Sequence, residues 1–500
     1  MERRSHGTRI MVALIGLTAL AMLLPAAVGF TLREHMLARA FLYSAALLTS
    51  IAGLVYLAIR NAPSRGWVLS HPFYYLTLAY LILPALMAIP MVEAVPGLRY
   101  LDAWFEMVSA FTTTGASVIE GEGTLSLHLW RALVGWGGGL FVLVTVMALL
   151  APLNLGGFEL IRARSQAARD SPDRSGAQAS SRIDSAYSDK NLERLRHQFQ
   201  LITPVYFGLT LVLWVGLSIA GNPPLVALMM AMSTLATSGI ATDPVLSGGV
   251  SEGLIALLLL LAVSRSLWPG APGMGAGPRL QDLELRTGFA VLSVLIFVMA
   301  ILLVARGTDG GLWPYLAELW GVAFTSLSFL TTTGFISGAL PADGGVFAGP
   351  AGIALLGLAL FGGGVATTAG GLKLLRVFSL YWQARFEVSK LVYPESVGGD
   401  GPRLRGLRTD GALAAWLFVM IFIFTLTAMT AALTVIGEGL EDAIILAVAA
   451  LTTTGPLAQI AGSTLIAWAA LSDTAKVILA FGMVLGRLEM LLLLSVFWRR

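Results

Sequence analysis

Apolar runs of about 20 residues, each long enough to cross a hydrocarbon core of roughly 30 Å, alternate along this chain with short polar or charged connections. Runs over 9–30, 37–59, 72–94, 130–154, 198–220, 253–269, 288–306, 349–372, 410–436 and 473–497 predict ten crossings, with both termini on one side. Between the later runs lie four shorter apolar segments, beginning at Leu101, Pro224, Leu316 and Glu441, each ending in a Thr/Ser/Gly cluster. At roughly 12–15 apolar residues they are too short to span, which predicts re-entrant half-helices. The cluster glycines Gly115, Gly239, Gly334 and Gly455 recur at intervals of 124, 95 and 121 residues. Such self-similarity predicts a fourfold repeat of helix, pore loop, helix. The expected fold is therefore an all-α polytopic membrane protein, with four tandem repeats around a central pore and two extra transmembrane helices in front.

Charge orients this architecture. Arg162, Arg164, Arg169, Arg174, Arg182, Lys190, Arg194 and Arg196 crowd one connection, and Lys373, Arg376, Arg385, Lys390, Arg403, Arg405 and Arg408 another. By the positive-inside tendency these face the cytoplasm, together with Arg3, Arg4, Arg499 and Arg500. Segments 221–252, 308–348 and 437–472 hold no Lys or Arg but carry Asp243, Asp309, Glu318, Asp343, Glu438, Glu441 and Asp442, so the outer face is acidic. The first apolar run is long and lacks a small-residue cleavage site, and reads as a retained helix rather than a signal peptide. The organisation that follows is 1–70, two leading helices; 71–157, first repeat; 158–197, a basic cytoplasmic linker; 198–287, second repeat; 288–408, third repeat with an intramembrane loop and a cytoplasmic loop; and 409–500, fourth repeat.

Composition agrees. The chain is 56% hydrophobic and 12% charged, where a soluble domain carries about 25% charged residues. A net charge of +3 gives no reason to expect a nucleic-acid partner; the partner implied by composition is the lipid bilayer. The absence of cysteine removes disulfides, thiolate metal sites and cysteine nucleophiles. With no HExxH, no paired membrane aspartates and only five histidines, His71 and His128 among them near span ends, an intramembrane enzyme has no evident chemistry.

The four clusters carry the candidate function. An ion leaving water needs its hydration shell replaced, and a ring of backbone carbonyls does this at least cost. Thr113, Thr114, Gly115; Thr237, Ser238, Gly239; Thr332, Thr333, Gly334; and Thr453, Thr454, Gly455 are the expected filter residues. Half-helices that enter from outside turn their negative dipole ends toward the pore, which favours cations. The run Gly362, Gly363, Gly364, with Gly370 and Gly371 after it, lies inside a predicted span and is poor in helix formers, so the helix should break there into an intramembrane gating loop. Arg487 sits deep in the last apolar run and needs a polar cavity or a partner. Glu489 is the nearest acid, two positions away and on a different helix face. Lys373 and Lys476 read as snorkelling interfacial residues.

In these four loops, in GIATD at 239–243, GGGVATTAGGLK at 362–373 and GRLEMLLLLSVFWRR at 486–500, the chain resembles the TrkH-type subunits of the Trk/Ktr/HKT potassium transporter superfamily. The resemblance covers nearly the whole chain. It implies K+ as the transported ion, bound at the filter residues, with no organic cofactor; flux by ion channel or symport; a homodimer in the cytoplasmic (inner) membrane; and a cytoplasmic RCK-type nucleotide-binding regulatory subunit. It also implies that Arg487 is a cation barrier beneath the filter. Two departures stand out: GPLAQ follows the fourth TTT where relatives carry a further glycine, and Ala366 stands where glycine is common. The rival expectation is an alternating-access carrier of an organic solute, but such proteins use inverted repeats, whereas these repeats all run in one direction.

Overall fold

A computed structural model describes residues 6–60, 72–119, 124–150, 190–242, 245–246, 248–268, 283–306, 312–341, 345–347, 349–392, 412–462 and 465–488. Several sequence expectations fall outside these residues: the linker through 189, Arg3, Arg4, His71, Asp243, Asp309, Asp343, the basic loop at 393–411, and the terminal stretch from 489 with Glu489, Arg499 and Arg500.

The described residues are mostly helical. Two leading elements, α1 (His6–Ala21) with α2 (Leu23–Thr31), and α3 (His35–Arg60), pack on α4 (Pro72–Ala94). Each repeat then places a half-helix between two further helices. The first is α4, α5 (Tyr100–Phe111) and α6 (Leu125–Thr145); the second α7 (Lys190–Ile219), α8 (Pro224–Ala236) and α9 (Val250–Val263). The third is α10 (Leu283–Arg306), α11 (Leu312–Leu330) and α12 (Ile353–Phe361), continued after a break as α13 (Leu374–Val392); the fourth is α14 (Ala412–Ile436), α15 (Leu440–Leu451) and α16 (Asp473–Arg487).

Among the described residues, seven segments are long and apolar enough to cross a membrane: Arg9–Thr31, His35–Arg60, Tyr75–Ala94, Leu125–Leu149, Glu193–Ile219, Leu283–Arg306 and Ala415–Ile436. Three of the ten expected spans are shorter among the described residues. α9 has 14 residues and ends at Ser264, whose extended backbone leads into a one-turn helix at Arg265–Leu267. The expected span 349–372 is helical for only nine residues before its glycine run. α16 has 15 described residues. The third half-helix, at 19 residues, is longer than the apolar segment suggests because it begins four residues earlier, at Leu312. α7 begins at Lys190, inside the expected linker, since its first turns are polar but good helix formers.

Polarity is inverted relative to a soluble protein. Val212, Phe297, Phe424 and Val435 stand exposed on the outside, whereas the cluster threonines and serines are fully buried. The half-helices reach the centre through close glycine packing. A Cβ on Gly138 would overlap the Phe111 carbonyl, and one on Gly139 would come within 2.9 Å of the Ala236 backbone, so α6 lies directly against the ends of α5 and α8.

Candidate functional site

The four half-helices end alike. Thr113, Thr237, Thr332 and Thr453 take the left-handed conformation, with φ of 55°, 50°, 57° and 55°. The following N–H groups reach back to the helix: Thr114 to the Ser109 carbonyl (2.8 Å), Ser238 to Ser233 (3.0 Å), Thr333 to Ser328 (2.9 Å) and Thr454 to Ala449 (2.8 Å). This closes the helix terminus without leaving all its last carbonyls orphaned. Glycine normally fills such a position; a β-branched residue there costs about 1–3 kcal/mol and persists only where its surroundings demand it. In three loops the first threonine hydroxyl donates to the carbonyl four residues back, as Thr112 to Val108, Thr331 to Leu327 and Thr452 to Val448, and also meets the third threonine hydroxyl. The second loop has Ala236 and Ser238 at those positions, and Ser238 pairs with Ser233 instead.

Beyond these turns the loops close into a ring. A Cβ on Gly115 would overlap the Ser238 carbonyl of the second loop, and one on Gly239 the Thr333 carbonyl of the third. One on Gly334 would stand 2.7 Å from Pro456 of the fourth, and one on Gly455 would overlap the Ala116 amide of the first. The Gly455 N–H also donates to the Thr114 carbonyl at 2.6 Å. Contact thus runs from loop one to two to three to four and back to one. Gly115, Gly239 and Gly334 have φ of 76°, 64° and 85°, whereas Gly455 has no positive φ. The GPLAQ departure explains the exception: Pro456 fixes its own φ and turns the fourth loop into a short 3-10 helix, Gly455–Gln459.

Buried carboxylates hold the outer strands. Glu106 of α5 accepts from the Val118 amide (2.8 Å) and from Arg131 Nε (2.5 Å), while Arg131 also meets His128 Nδ1. Glu252, fully buried on α9, accepts from Ser337 and Gly338 of the third loop and from Trp320 of α11. The second and third strands meet directly, the Leu246 amide donating to the Ile336 carbonyl at 3.0 Å.

The other side of the ring is closed by the break between α12 and α13. Residues 362–373 are non-helical, as the glycine run predicts, with Gly362, Ala366, Gly371 and Lys373 at positive φ. Ala366 therefore occupies a backbone conformation that favours glycine. The loop touches the ends of the second, third and fourth half-helices. Thr368 Oγ1 donates to the Leu235 carbonyl (3.2 Å), the Gly370 amide donates to Thr332 Oγ1 (2.7 Å), and Gly370 lies against the Thr452 carbonyl. Arg487 completes the set by donating to the Thr112 carbonyl, the Thr113 hydroxyl and the Thr368 carbonyl. Its partners are backbone and hydroxyl oxygens of the ring and the loop.

Both lysines depart from expectation. Lys373 Nζ is buried and donates to the Ala369 carbonyl (2.5 Å), inside the broken segment, and Lys476 Nζ is buried against Asp102 (2.7 Å) and the Ala469 carbonyl (3.0 Å). Each is held by a specific acceptor rather than snorkelling. Glu106, Arg131, Glu252, Arg265 and Glu284 escaped the sequence reading. Arg265 donates to the Ala366 carbonyl and Glu284 accepts from the Val365 amide. The available signal was the one that flagged Arg487: an ionisable residue within an apolar stretch.

Fold and site together define an all-α polytopic membrane protein in which four loop-bearing repeats close a ring around one axis. The chain is TrkH-like in sequence along nearly its whole length. It is 28% identical to the Trk system potassium uptake protein TrkI of Halomonas elongata, covering 93% of this chain and 91% of the relative. It is 26% identical to the Trk system potassium uptake protein TrkH of Salmonella typhimurium, covering 98% and 99%. The crystal structure of the potassium transporter TrkH from Vibrio parahaemolyticus shares its fold, with a TM-score of 0.80 at 24% identity over 98% of each chain. No family model matches the chain.

At the N-terminal ends of α5 and α16, Arg99 bridges Asp102 (2.8 Å) and Asp473 (2.7 Å), and Asp102 also takes Lys476. Burial alone would push the Asp102 carboxyl up; hydrogen bonds from Arg99 and Lys476 outweigh it and hold it below the usual carboxylate range. Its stabilising contribution is therefore complete above the ordinary carboxylate pKa of about 4 and disappears as pH falls through the lowered value. Asp102→Asn should lower the thermal unfolding temperature of the detergent-solubilised protein at pH 7, and the difference from the parent should shrink on acidification below about pH 4.

Proposed function

We propose that the chain is a TrkH-type subunit that carries potassium across the cytoplasmic membrane, with transport rather than catalysis as its role. Thr113, Thr114, Gly115, Thr237, Ser238, Gly239, Thr332, Thr333, Gly334, Thr453, Thr454 and Gly455 are proposed to line the selectivity filter. The observation that carries this reading is the closed contact ring of the four loops, in which Gly115, Gly239 and Gly455 abut the next loop's backbone and Gly334 abuts the Pro456 ring. Four half-helix C-termini converge on that ring, and their partial negative charge favours a cation. The names of the relatives supply the ion. The proposed gate is the segment containing Gly362, Gly363, Gly364, Gly370 and Gly371, together with Arg487. A homodimer and an RCK-type nucleotide-binding regulator on the cytoplasmic side follow from the family resemblance.

Rubidium and sodium flux into proteoliposomes tests the filter. The parent should carry rubidium well in excess of sodium. Gly115→Ser should narrow that preference, because a side chain there forces the Ser238 carbonyl of the second loop out of place. Unchanged selectivity in a folded variant contradicts the assignment of this loop.

Arg487 tests the gate. A positive charge about 4 Å from a passing cation, at an effective dielectric near 20, raises its energy by about 4 kcal/mol. Arg487→Ala removes this charge along with the donors that fasten the Thr368 carbonyl to the ring, and rubidium flux should rise while the protein stays folded. Arg487→Lys should keep part of the barrier. Lower flux in the alanine variant, accompanied by a lower unfolding temperature, assigns Arg487 a structural role.

A further inference from the structure

The outer strands of the first and third loops are anchored by related but unequal devices. Val118 and Ser337 occupy matching places, each three residues past its cluster glycine. The Val118 amide is held by Glu106, nine residues before Gly115 in its own half-helix. At the matching place before Gly334 stands Thr325, whose hydroxyl accepts from the Ser337 amide at 3.2 Å. Thr325 carries no charge, and the carboxylate comes instead from the neighbouring repeat. Glu252, near the start of α9, accepts from Ser337 Oγ with both oxygens (2.8 Å each), from the Gly338 amide (2.9 Å) and from Trp320 Nε1 (2.8 Å).

The electrostatic consequences differ. Glu106 is paired with Arg131 in a buried salt bridge. Every hydrogen bond recorded for Glu252 comes from a neutral hydroxyl, amide or indole, and each of these groups donates, which is the set an ionised carboxylate accepts. A carboxylate solvated by neutral dipoles keeps its field, and a low-dielectric surround extends that field's reach. Trp320 sits on the third half-helix and Ser337 and Gly338 on the strand leaving its ring, so one group braces both arms of the loop from a different repeat.

We propose that Glu252 is a charge-bearing positioning residue of the cation pathway: it fixes the third loop's outer strand and contributes fixed negative potential that raises cation occupancy at the outer mouth of the ring. The inference rests on the reading of the ring as the cation pathway. Glu252→Gln preserves size but removes the charge and turns an amide donor toward groups that themselves donate. Asp at this position retains the charge.

The test is rubidium uptake by the full chain in proteoliposomes, measured across rubidium concentration. Glu252→Gln should raise the half-saturating concentration about fivefold while the maximal rate stays within about twofold of the parent. Glu252→Asp should remain within about twofold of the parent in half-saturation. A folded Glu252→Gln protein with unchanged half-saturation overturns the inference while leaving the pathway intact. If Glu252→Gln fails to fold, Glu252→Asp decides: parental half-saturation supports the role of charge, and a rise of about fivefold or more overturns it. Absence of rubidium flux in the parent overturns the pathway reading itself, and this inference with it.

Discussion

Helix C-termini end in carbonyl groups that need donors or cations, and at membrane depth water is not freely available to supply them. This chain drives four such termini into its centre. The same left-handed threonine turn satisfies part of each terminus from within. What remains is negative partial charge focused on one axis. The rest of the central architecture answers that concentration of acceptors, through the glycines that let four backbones meet, the cationic side chains that donate to carbonyls, and the broken segment that lies against the threonines.

The strain at Thr113, Thr237, Thr332 and Thr453 acquires a reason in this setting. A glycine would relax the turn but remove a hydroxyl. Two of those hydroxyls contact the closing elements: Thr332 accepts from the Gly370 amide and Thr113 from Arg487. Arg265, Lys373 and Arg487 donate to the Ala366, Ala369 and Thr368 carbonyls, so three cationic side chains fasten one short loop. On the proposed pathway, a cation at this point would compete with fixed positive charges for the same oxygens, which would link the ring and the broken segment electrostatically as well as sterically.

The four loops were legible because their signal is local: a short apolar segment, a threonine cluster and a glycine stand together in the sequence. The break after Phe361 was legible for the same reason. The clamps were not. Lys476 and Asp102 are 374 residues apart, and Ser337 and Glu252 are 85 apart, so no local pattern joins them. Lys476 and Lys373 looked like interfacial lysines because hydropathy reports depth and not the acceptor each amine finds. The fourth loop's GPLAQ was visible as a departure, but its effect, a 3-10 turn that packs Pro456 against Gly334, required the neighbouring loop.

If the four loops form one cation site on a shared axis, anomalous diffraction from crystals of the protein grown in rubidium should show rubidium density on the axis of the ring, coordinated by carbonyl oxygens from all four loops at the Thr–Gly positions. Clear density for the loops with no rubidium among them, or with rubidium bound only elsewhere in the membrane region, would contradict it.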